Sequence, residues 1–83
     1  MAHFVYIVTC VDGTLYTGYT TDVARRITEH NGTTTAAKYT RGRRPVKLFH
    51  SEKLATRGHA LRREAEIKKM SRVEKLNIKK SLS

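Results

Sequence analysis

The Asp12-Gly13 pair, which lies between two runs of strand-forming residues, constrains the fold of this chain more than any other feature. The first run, residues 4–11, reads Phe-Val-Tyr-Ile-Val-Thr-Cys-Val, and the second covers residues 15–19. β-Branched and aromatic residues favour strands, and Asp-Gly between two such runs is a strong hairpin signal. The sequence therefore predicts that the chain opens with a β-hairpin.

The length of the hairpin loop decides which side chains share a face of the sheet. A two-residue loop at Asp12-Gly13 would place Tyr6 and Tyr16 on opposite faces, because side chains alternate along a strand. A three-residue loop with Gly13 in the left-handed conformation would place Gly18 opposite Tyr6 and bring both tyrosines to one face. We predict this bulged register, in which the missing side chain of Gly18 leaves space beside the phenol for a phosphate or a water molecule.

The remainder of the chain carries the signals of three helices and one further strand. Thr20, Thr21 and Asp22 are N-cap candidates for the first helix, and Ser71 forms a capping box with Glu74 before the last one. The predicted elements are a helix over about 23–31 that Gly32 ends, a strand over about 46–51, a helix over about 57–70 and a short final helix through about residue 77.

The first predicted helix presents one arginine and one histidine to the hairpin. At about 100° per residue, Val23 and Ile27 define its buried stripe, and His30 lies close to that stripe. Arg26 lies at the edge of the stripe, whereas Arg25 points to solvent. The geometry of the helix therefore favours Arg26 over Arg25 as a functional residue.

A carboxylate on the second predicted helix needs a positive partner. Its helical wheel predicts a buried face with Glu64 near the middle. An ionised carboxylate on such a face is strongly disfavoured unless a cation neutralises it. That cation is either the side chain of Arg26 or Lys68, or a hard divalent metal ion such as Mg²⁺. The apolar residues of the predicted face are Ala60, Leu61, Ala65 and Ile67.

The distribution of charge predicts a polyanionic partner. The chain has 17 Lys and Arg against 7 Asp and Glu, for a net charge of +10, and residues 1–24 contain no Lys or Arg. Nucleic acid is the commonest polyanion that such a field attracts, and an anionic membrane surface is the weaker alternative because no amphipathic helix carries aromatic anchors. The predicted nucleic-acid contacts, with the tyrosine for stacking on an unpaired base, are Lys38, Tyr39, Arg41, Arg43, Arg44 and Lys47.

The cysteine content and the sequence ends favour a cytoplasmic protein. Cys10 is the single cysteine, so no internal disulfide can form, and its apolar neighbours predict a buried side chain. No segment resembles a secretion signal, a transit peptide or a membrane span. A chain of 83 residues is expected to form one domain over residues 1–83.

Five short motifs, taken together, resemble the GIY-YIG nuclease superfamily, and the resemblance covers nearly the whole chain. The likeness is to small stand-alone bacterial members, which are related to the nuclease domain of the Slx-type structure-selective endonucleases. Two departures are Phe4-Val5-Tyr6 in place of Gly-Ile-Tyr and Thr17 in place of isoleucine. The motifs are Val5-Tyr6-Ile7, Tyr16-Thr17-Gly18, Ala24-Arg25-Arg26, Glu29-His30-Asn31 and Ala60-Leu61-Arg62-Arg63-Glu64.

The resemblance implies an α+β fold, with a three-stranded antiparallel sheet flanked by helices, and a catalytic site. Tyr6 and Tyr16 correspond to the two motif tyrosines, and Arg26 corresponds to the helix arginine. Glu64 corresponds to the metal ligand, and His30 falls where the family often has a histidine or a tyrosine.

The implied function is a metal-dependent endonuclease, with Mg²⁺ or Mn²⁺, that hydrolyses phosphodiester bonds in DNA, either structure-selectively or without specificity. One tyrosine would activate a water molecule, and its pKa of about 10 must then be lowered by a nearby metal ion or other cation. The choice between Tyr6 and Tyr16, and between DNA and RNA, stays open, and a protein partner is one source of specificity. The alternative is a non-catalytic nucleic-acid-binding module with the same fold.

Overall fold

Three antiparallel strands form the centre of the fold in a computed structural model of the chain, which describes residues 2–32 and 44–78. Strands β1 (His3–Thr9), β2 (Leu15–Thr20) and β3 (Lys47–Leu54) lie in the order β2-β1-β3. Helices α1 (Val23–Asn31), α2 (Arg57–Lys68) and α3 (Arg72–Leu76) accompany this sheet. The α+β class is confirmed, and β3 continues to Leu54 instead of ending near residue 51. Within these described ranges, no helix has the length and apolar character that crossing a bilayer requires.

The hairpin adopts the bulged register. Gly13 has φ +86°, and the backbone N–H of Cys10 donates to the carbonyl oxygen of Thr14 at 2.8 Å. Tyr6 is therefore paired with Gly18 in β2, as predicted for the three-residue loop. This register places Tyr16 on the same face of the sheet as Tyr6.

Side-chain alternation gives the sheet two faces, and each packs against a different helix. The α2 face consists of Val5 and Ile7 of β1 packed with Ala60 and Ile67 of α2. The α1 face consists of Tyr6, Val8 and Cys10 packed with Tyr16, Ile27 of α1 and Val46. The buried Cys10 was predicted, and both motif tyrosines lie on the α1 face.

Helix α1 is fixed at both ends by side chains that its sequence supplies. The Asp22 side chain caps the start by accepting a hydrogen bond from the backbone N–H of Arg25 at 3.0 Å. At the other end, Oδ1 of Asn31 accepts from the backbone N–H of Val46 at 2.7 Å, and its Nδ2 donates to the carbonyl of the same residue. Gly32 ends the helix, so the predicted bounds are confirmed, and Asn31 ties α1 to the segment that enters β3.

The buried face of α2 differs from the prediction. Ala60 and Ile67 are fully buried, but Leu61 is 40% exposed and Ala65 is exposed as well. On the helical wheel, Ala60 and Ile67 lie about 20° apart, whereas Leu61 and Ala65 lie about 100° and about 140° from Ala60. The helix turns only the narrow Ala60–Ile67 stripe toward the sheet, and the predicted face was therefore centred too far to one side.

The last two helices are separated by a short break after Lys68. Helix α2 ends there, earlier than the predicted end near Met70, whose side chain packs against the core. The predicted capping box of α3 is confirmed, because Ser71 Oγ accepts from the backbone N–H of Glu74 at 3.2 Å and Glu74 Oε1 accepts from the backbone N–H of Ser71 at 2.9 Å.

Candidate functional site

The Tyr6 hydroxyl lies between a histidine and an arginine on the α1 face. Its oxygen is 2.7 Å from Nε2 of His30 and 3.3 Å from Nε of Arg26. Tyr6 belongs to β1 and both partners belong to α1, so the packing of α1 on the sheet creates the cluster. His30 is fully buried, deeper than Val23 and Ile27 of the predicted stripe, which are half-buried.

Hydrogen-bond chemistry determines which group donates in each hydrogen bond of this cluster. A guanidinium group only donates, so Arg26 donates to the Tyr6 oxygen. Within the described residues, the Tyr6 hydroxyl has one other partner, Nε2 of His30. Burial lowers the pKa of His30, and the positive charge of Arg26 lowers it further, which favours a neutral ring with an acceptor nitrogen. The Tyr6 hydroxyl therefore donates its proton to His30.

Tyr6 holds its proton more tightly than an ordinary tyrosine. The pKa of Tyr6 is raised from 10.0 to about 12. Burial is the main cause, Arg26 opposes it, and the neighbouring Tyr16 and Glu64 contribute to the rise. Arg26 lowers this pKa, as expected of a nearby cation, but removing the phenol from water outweighs the guanidinium. Tyr6 is a neutral phenol at pH 7.

Tyr16 forms the aromatic side of the cluster. Its ring centroid is 6.4 Å from that of Tyr6 and 5.3 Å from that of His30, and it meets the His30 ring nearly edge-on. The bulged register carries Tyr16 to this position by pairing it with Val8. The structure thus brings four of the predicted site residues together, both tyrosines with His30 and Arg26.

The space above Gly18 is filled by Tyr6 itself. A Cβ atom at Gly18 would lie 2.5 Å from Oη and 2.6 Å from Cζ of Tyr6, far inside van der Waals contact. The expectation that Gly18 leaves room for a phosphate or a water molecule is wrong, because the phenol ring crosses the position that a side chain would take. The glycine therefore serves to let the Tyr6 ring lie against the backbone of β2.

Glu29 orients Arg26, a role that the analysis of the sequence missed. Arg26 donates from Nη1 to Oε1 of Glu29 at 3.1 Å, and within the described residues its Nη2 has no partner. Burial lowers the pKa of Arg26, but the hydrogen bonds to Tyr6 and Glu29 raise it above its usual value, so the charge is retained. Arg25 is 62% exposed, as predicted. The i,i+3 spacing of Arg26 and Glu29 was the signal that could have predicted this pair.

Glu64 is paired with a lysine of its own helix. Its Oε2 is 3.1 Å from Nζ of Lys68, and its side chain is 18% exposed. The charge of Glu64 contributes to the raised pKa of Tyr6, so the carboxylate lies within electrostatic reach of the phenol. Of the two salt bridges considered from the sequence, to Arg26 or to Lys68, the structure contains the second.

The Glu64 carboxylate suits a divalent cation bound in the manner of Mg²⁺. The described part of the chain contains no group of three or more His, Cys, Asp or Glu side chains that could enclose a metal ion. Mg²⁺ keeps most of its waters and needs only one or two carboxylates together with substrate phosphates. Glu64 meets that need, because its Lys68 partner is 54% exposed and can turn into solvent when a cation arrives.

Two of the predicted nucleic-acid contacts belong to the described residues. Arg44 donates to the carbonyl oxygen of Gly32, at the end of α1. Lys47 is exposed at the start of β3, where it lines a cavity of about 350 Å³ that contains none of the clustered site residues. The other four predicted contacts, which lie outside the described residues, are Lys38, Tyr39, Arg41 and Arg43.

Comparison with known proteins supplies independent evidence on the family of this chain. The GIY-YIG catalytic domain family matches residues 2–77. A UPF0213 protein of Halobacterium salinarum is 56% identical over 73 residues, which cover 88% of this chain and 94% of that protein. A UPF0213 protein of Syntrophus aciditrophicus is 53% identical over 76 residues, which cover 92% of this chain and 87% of that protein.

Two solution NMR structures share the fold. A protein from E. faecalis superposes with a TM-score of 0.69 at 46% sequence identity, over 99% of this chain and 86% of that chain. A UPF0213 protein from Bacillus halodurans superposes with a TM-score of 0.57 at 49% identity, over 90% of this chain and 79% of that chain. The architecture described above is therefore shared with experimentally determined relatives.

Proposed function

Because the chain belongs to the GIY-YIG catalytic domain family, we propose that it is an endonuclease that hydrolyses phosphodiester bonds in DNA with the help of Mg²⁺ or Mn²⁺. The single observation that carries this proposal is the Tyr6 hydroxyl held between His30 and Arg26. Burying a phenol, an imidazole and a guanidinium costs free energy, and perturbed groups of this kind concentrate at functional sites. The cluster suits proton transfer beside an anion.

Tyr6 is proposed to relay the proton of the attacking water. A water molecule gives a proton to the Tyr6 oxygen while Tyr6 passes its own proton to Nε2 of His30, so no phenolate charge has to form. The hydroxide attacks phosphorus, the bond from phosphorus to the leaving oxygen breaks, and that oxygen takes a proton from solvent. His30 then returns its proton through the Tyr6 hydroxyl to water, which restores both groups for another cycle.

The remaining site residues are proposed to bind and neutralise the phosphate. Arg26 has its Nη2 available for a phosphoryl oxygen, where it stabilises the negative charge of the transition state. Glu64 would hold the divalent cation, which supplies electrostatic stabilisation of the scissile phosphate and the leaving oxygen. The Tyr16 ring packs against His30. The proposed contacts to the nucleic-acid backbone are Lys38, Tyr39, Arg41, Arg43, Arg44 and Lys47.

The dependence of the cleavage rate on pH follows from His30. The relay requires neutral His30, and its pKa is lowered below 6.5 by burial and then by Arg26. The rate should therefore fall with an acidic midpoint below pH 6.5, as His30 takes up a proton. Tyr6, with a pKa of about 12, adds no basic limb near neutral pH. A single-turnover profile with an acidic midpoint at pH 7 or above would contradict the assignment.

The decisive experiment tests cleavage and its dependence on Glu64. Purified protein is incubated with nicked, flap, junction and single-stranded DNA across a Mg²⁺ titration, beside the variants Glu64→Gln and Glu66→Gln. Glu66 is the matched control, because it lies on the same helix and is 59% exposed. Glu64→Gln should abolish cleavage across the Mg²⁺ titration, and Glu66→Gln should leave the Mg²⁺ concentration for half-maximal cleavage unchanged.

The same assay separates the enzyme from the alternative function. The net charge of +10 also suits a nucleic-acid-binding module without catalysis. If wild-type protein and Glu64→Gln bind DNA equally and neither cuts any substrate with Mg²⁺ or Mn²⁺, the endonuclease proposal fails and the binding module replaces it. An RNA panel of the same shapes decides between the two nucleic acids.

A further inference from the structure

Helix α2 contacts the sheet through a narrow apolar stripe. A stripe of this width does not by itself define the rotation of the helix about its own axis. Ala60 and Ile67 are its fully buried residues. They lie about 20° apart on the wheel and about 10 Å apart along the axis. Two anchors nearly in line along one side of a helix oppose tilting, but they resist rolling only weakly. A contact on the flank of α2 is needed to define the roll.

Arg63 provides that contact on one flank of α2. Its Nε donates to Oε1 of Glu52 at 2.8 Å, and its Nη2 donates to Oε2 at 3.1 Å. The guanidinium therefore forms a bidentate pair with the carboxylate. Glu52 belongs to β3, and its side chain is only 14% exposed. A two-point hydrogen bond of this kind fixes direction as well as distance. The Glu52–Arg63 pair therefore couples β3 to the rotation of α2.

The carboxylate of Glu52 is itself held firmly. Nε2 of His50, which also belongs to β3, lies 2.8 Å from Oε2 of Glu52. Burial raises the pKa of Glu52, but the hydrogen bonds from Arg63 and His50 outweigh it and bring the pKa below its usual value. The network consists of partly buried, mutually satisfied groups, and none of them belongs to the Tyr6 cluster.

Glu64 lies on the opposite flank of the same helix. On the wheel, Arg63 lies about 60° to one side of Ala60 and Glu64 about 40° to the other. At about 6 Å from the helix axis, a carboxylate moves by about 2 Å when the helix rolls by about 20°. Displacements of about 1 Å can already cost catalytic groups on the order of 100-fold in rate. The roll of α2 thus sets the position of Glu64.

We propose that Glu52 is a positioning residue that acts through Arg63 to fix the position of the Glu64 carboxylate. The inference rests on the proposed role of Glu64 as the residue that binds the divalent cation. It assigns a function to an ion pair on the α2 face, on the other side of the sheet from the tyrosines. A purely structural ion pair would stabilise the fold without changing the affinity of the Glu64 site for a divalent cation.

The test uses Mn²⁺ as a paramagnetic probe, so it does not depend on cleavage. In wild-type protein bound to cleavage-resistant phosphorothioate DNA, which supplies the phosphates, Mn²⁺ should broaden the backbone amide signals of Glu64 and Gly18 in NMR spectra, and Glu64→Gln should abolish this broadening. Glu52→Gln should raise the Mn²⁺ concentration for half-maximal broadening on the order of 10-fold to 100-fold. Arg63→Gln should give the same shift, and the double variant no more than either change alone, because both act through one contact.

Controls separate positioning from stability. Glu66→Gln removes the exposed partner that lies 3.6 Å from Arg63, and it should leave the Mn²⁺ midpoint unchanged. All spectra are recorded well below each variant's unfolding temperature. If a variant does not fold, Arg63→Lys replaces it, because lysine keeps the charge but cannot form both hydrogen bonds. A wild-type midpoint in Glu52→Gln, or no broadening at Glu64 in wild type, would overturn the inference. Broadening without cleavage would instead remove only the proposed endonuclease function.

Discussion

Tyr6→Phe should lower the rate of DNA cleavage by about 10²-fold to 10⁴-fold, the range typical of removing a positioned proton-transfer group. The phenyl ring keeps the packing across Gly18 and within the α1 face, while the link between the attacking water and His30 is lost. The measurement is the single-turnover rate at saturating DNA and Mg²⁺. Affinity for DNA should be unchanged, since the proposed phosphate contacts are made by Arg26 and the basic residues and not by Tyr6.

Tyr19→Phe is the matched control for this change. Tyr19 lies on the α2 face of the same sheet, where its hydroxyl is 2.9 Å from Nδ1 of His3. The two variants therefore lose the same atom from a tyrosine–histidine pair, on opposite faces. Equal rates for Tyr6→Phe and Tyr19→Phe, or a Tyr6→Phe rate close to wild type, would rule out the relay. A large loss in Tyr6→Phe alone supports it.

Arg26→Ala should lower the cleavage rate by about 10²-fold to 10³-fold, the cost of removing one group that stabilises transition-state charge. Arg26 donates to Tyr6 and is oriented by Glu29, so its loss removes both a charge and a constraint on the phenol. The salt dependence of DNA binding should also fall by about one phosphate contact. Cleavage rates and binding measured across a salt series provide both readouts.

Arg25→Ala is the control for charge alone. Arg25 is the preceding residue of α1, carries the same charge, and is 62% exposed, with Glu29 at 4.0 Å as its ion-pair partner. Exposed ion pairs contribute little, about 0–1 kcal/mol, so this variant should fold and cleave like wild type apart from a small effect on DNA affinity. If Arg25→Ala and Arg26→Ala lost activity equally, net charge and not position would explain the effect.

The register of the hairpin was predictable from the sequence because it depends on local geometry. Asp12-Gly13 selects a loop in which a glycine takes positive φ, and the period of two then fixes which residues share a face with Tyr6. The bounds of α1 and the capping box of α3 were predictable for the same reason. Each depends on a hydrogen bond between residues three or four positions apart.

The predicted site was recovered in part. The wheel of α1 correctly favoured Arg26 over Arg25, and the register brought Tyr16 to the side of Tyr6. The sequence did not predict that the Tyr6 ring would fill the space above Gly18, because that space is defined by two strands together. It also missed Glu52, whose partner Arg63 is eleven residues away on a different element.

The sequence by itself determined the order of the elements, the pairing of the hairpin and the bounds of α1. Only the tertiary structure decided the depth of His30 and the rise of the Tyr6 pKa to about 12. Burial and electrostatic interaction depend on distances between segments that are remote in the chain. Such distances are set when helices pack on the sheet, and no local pattern contains them.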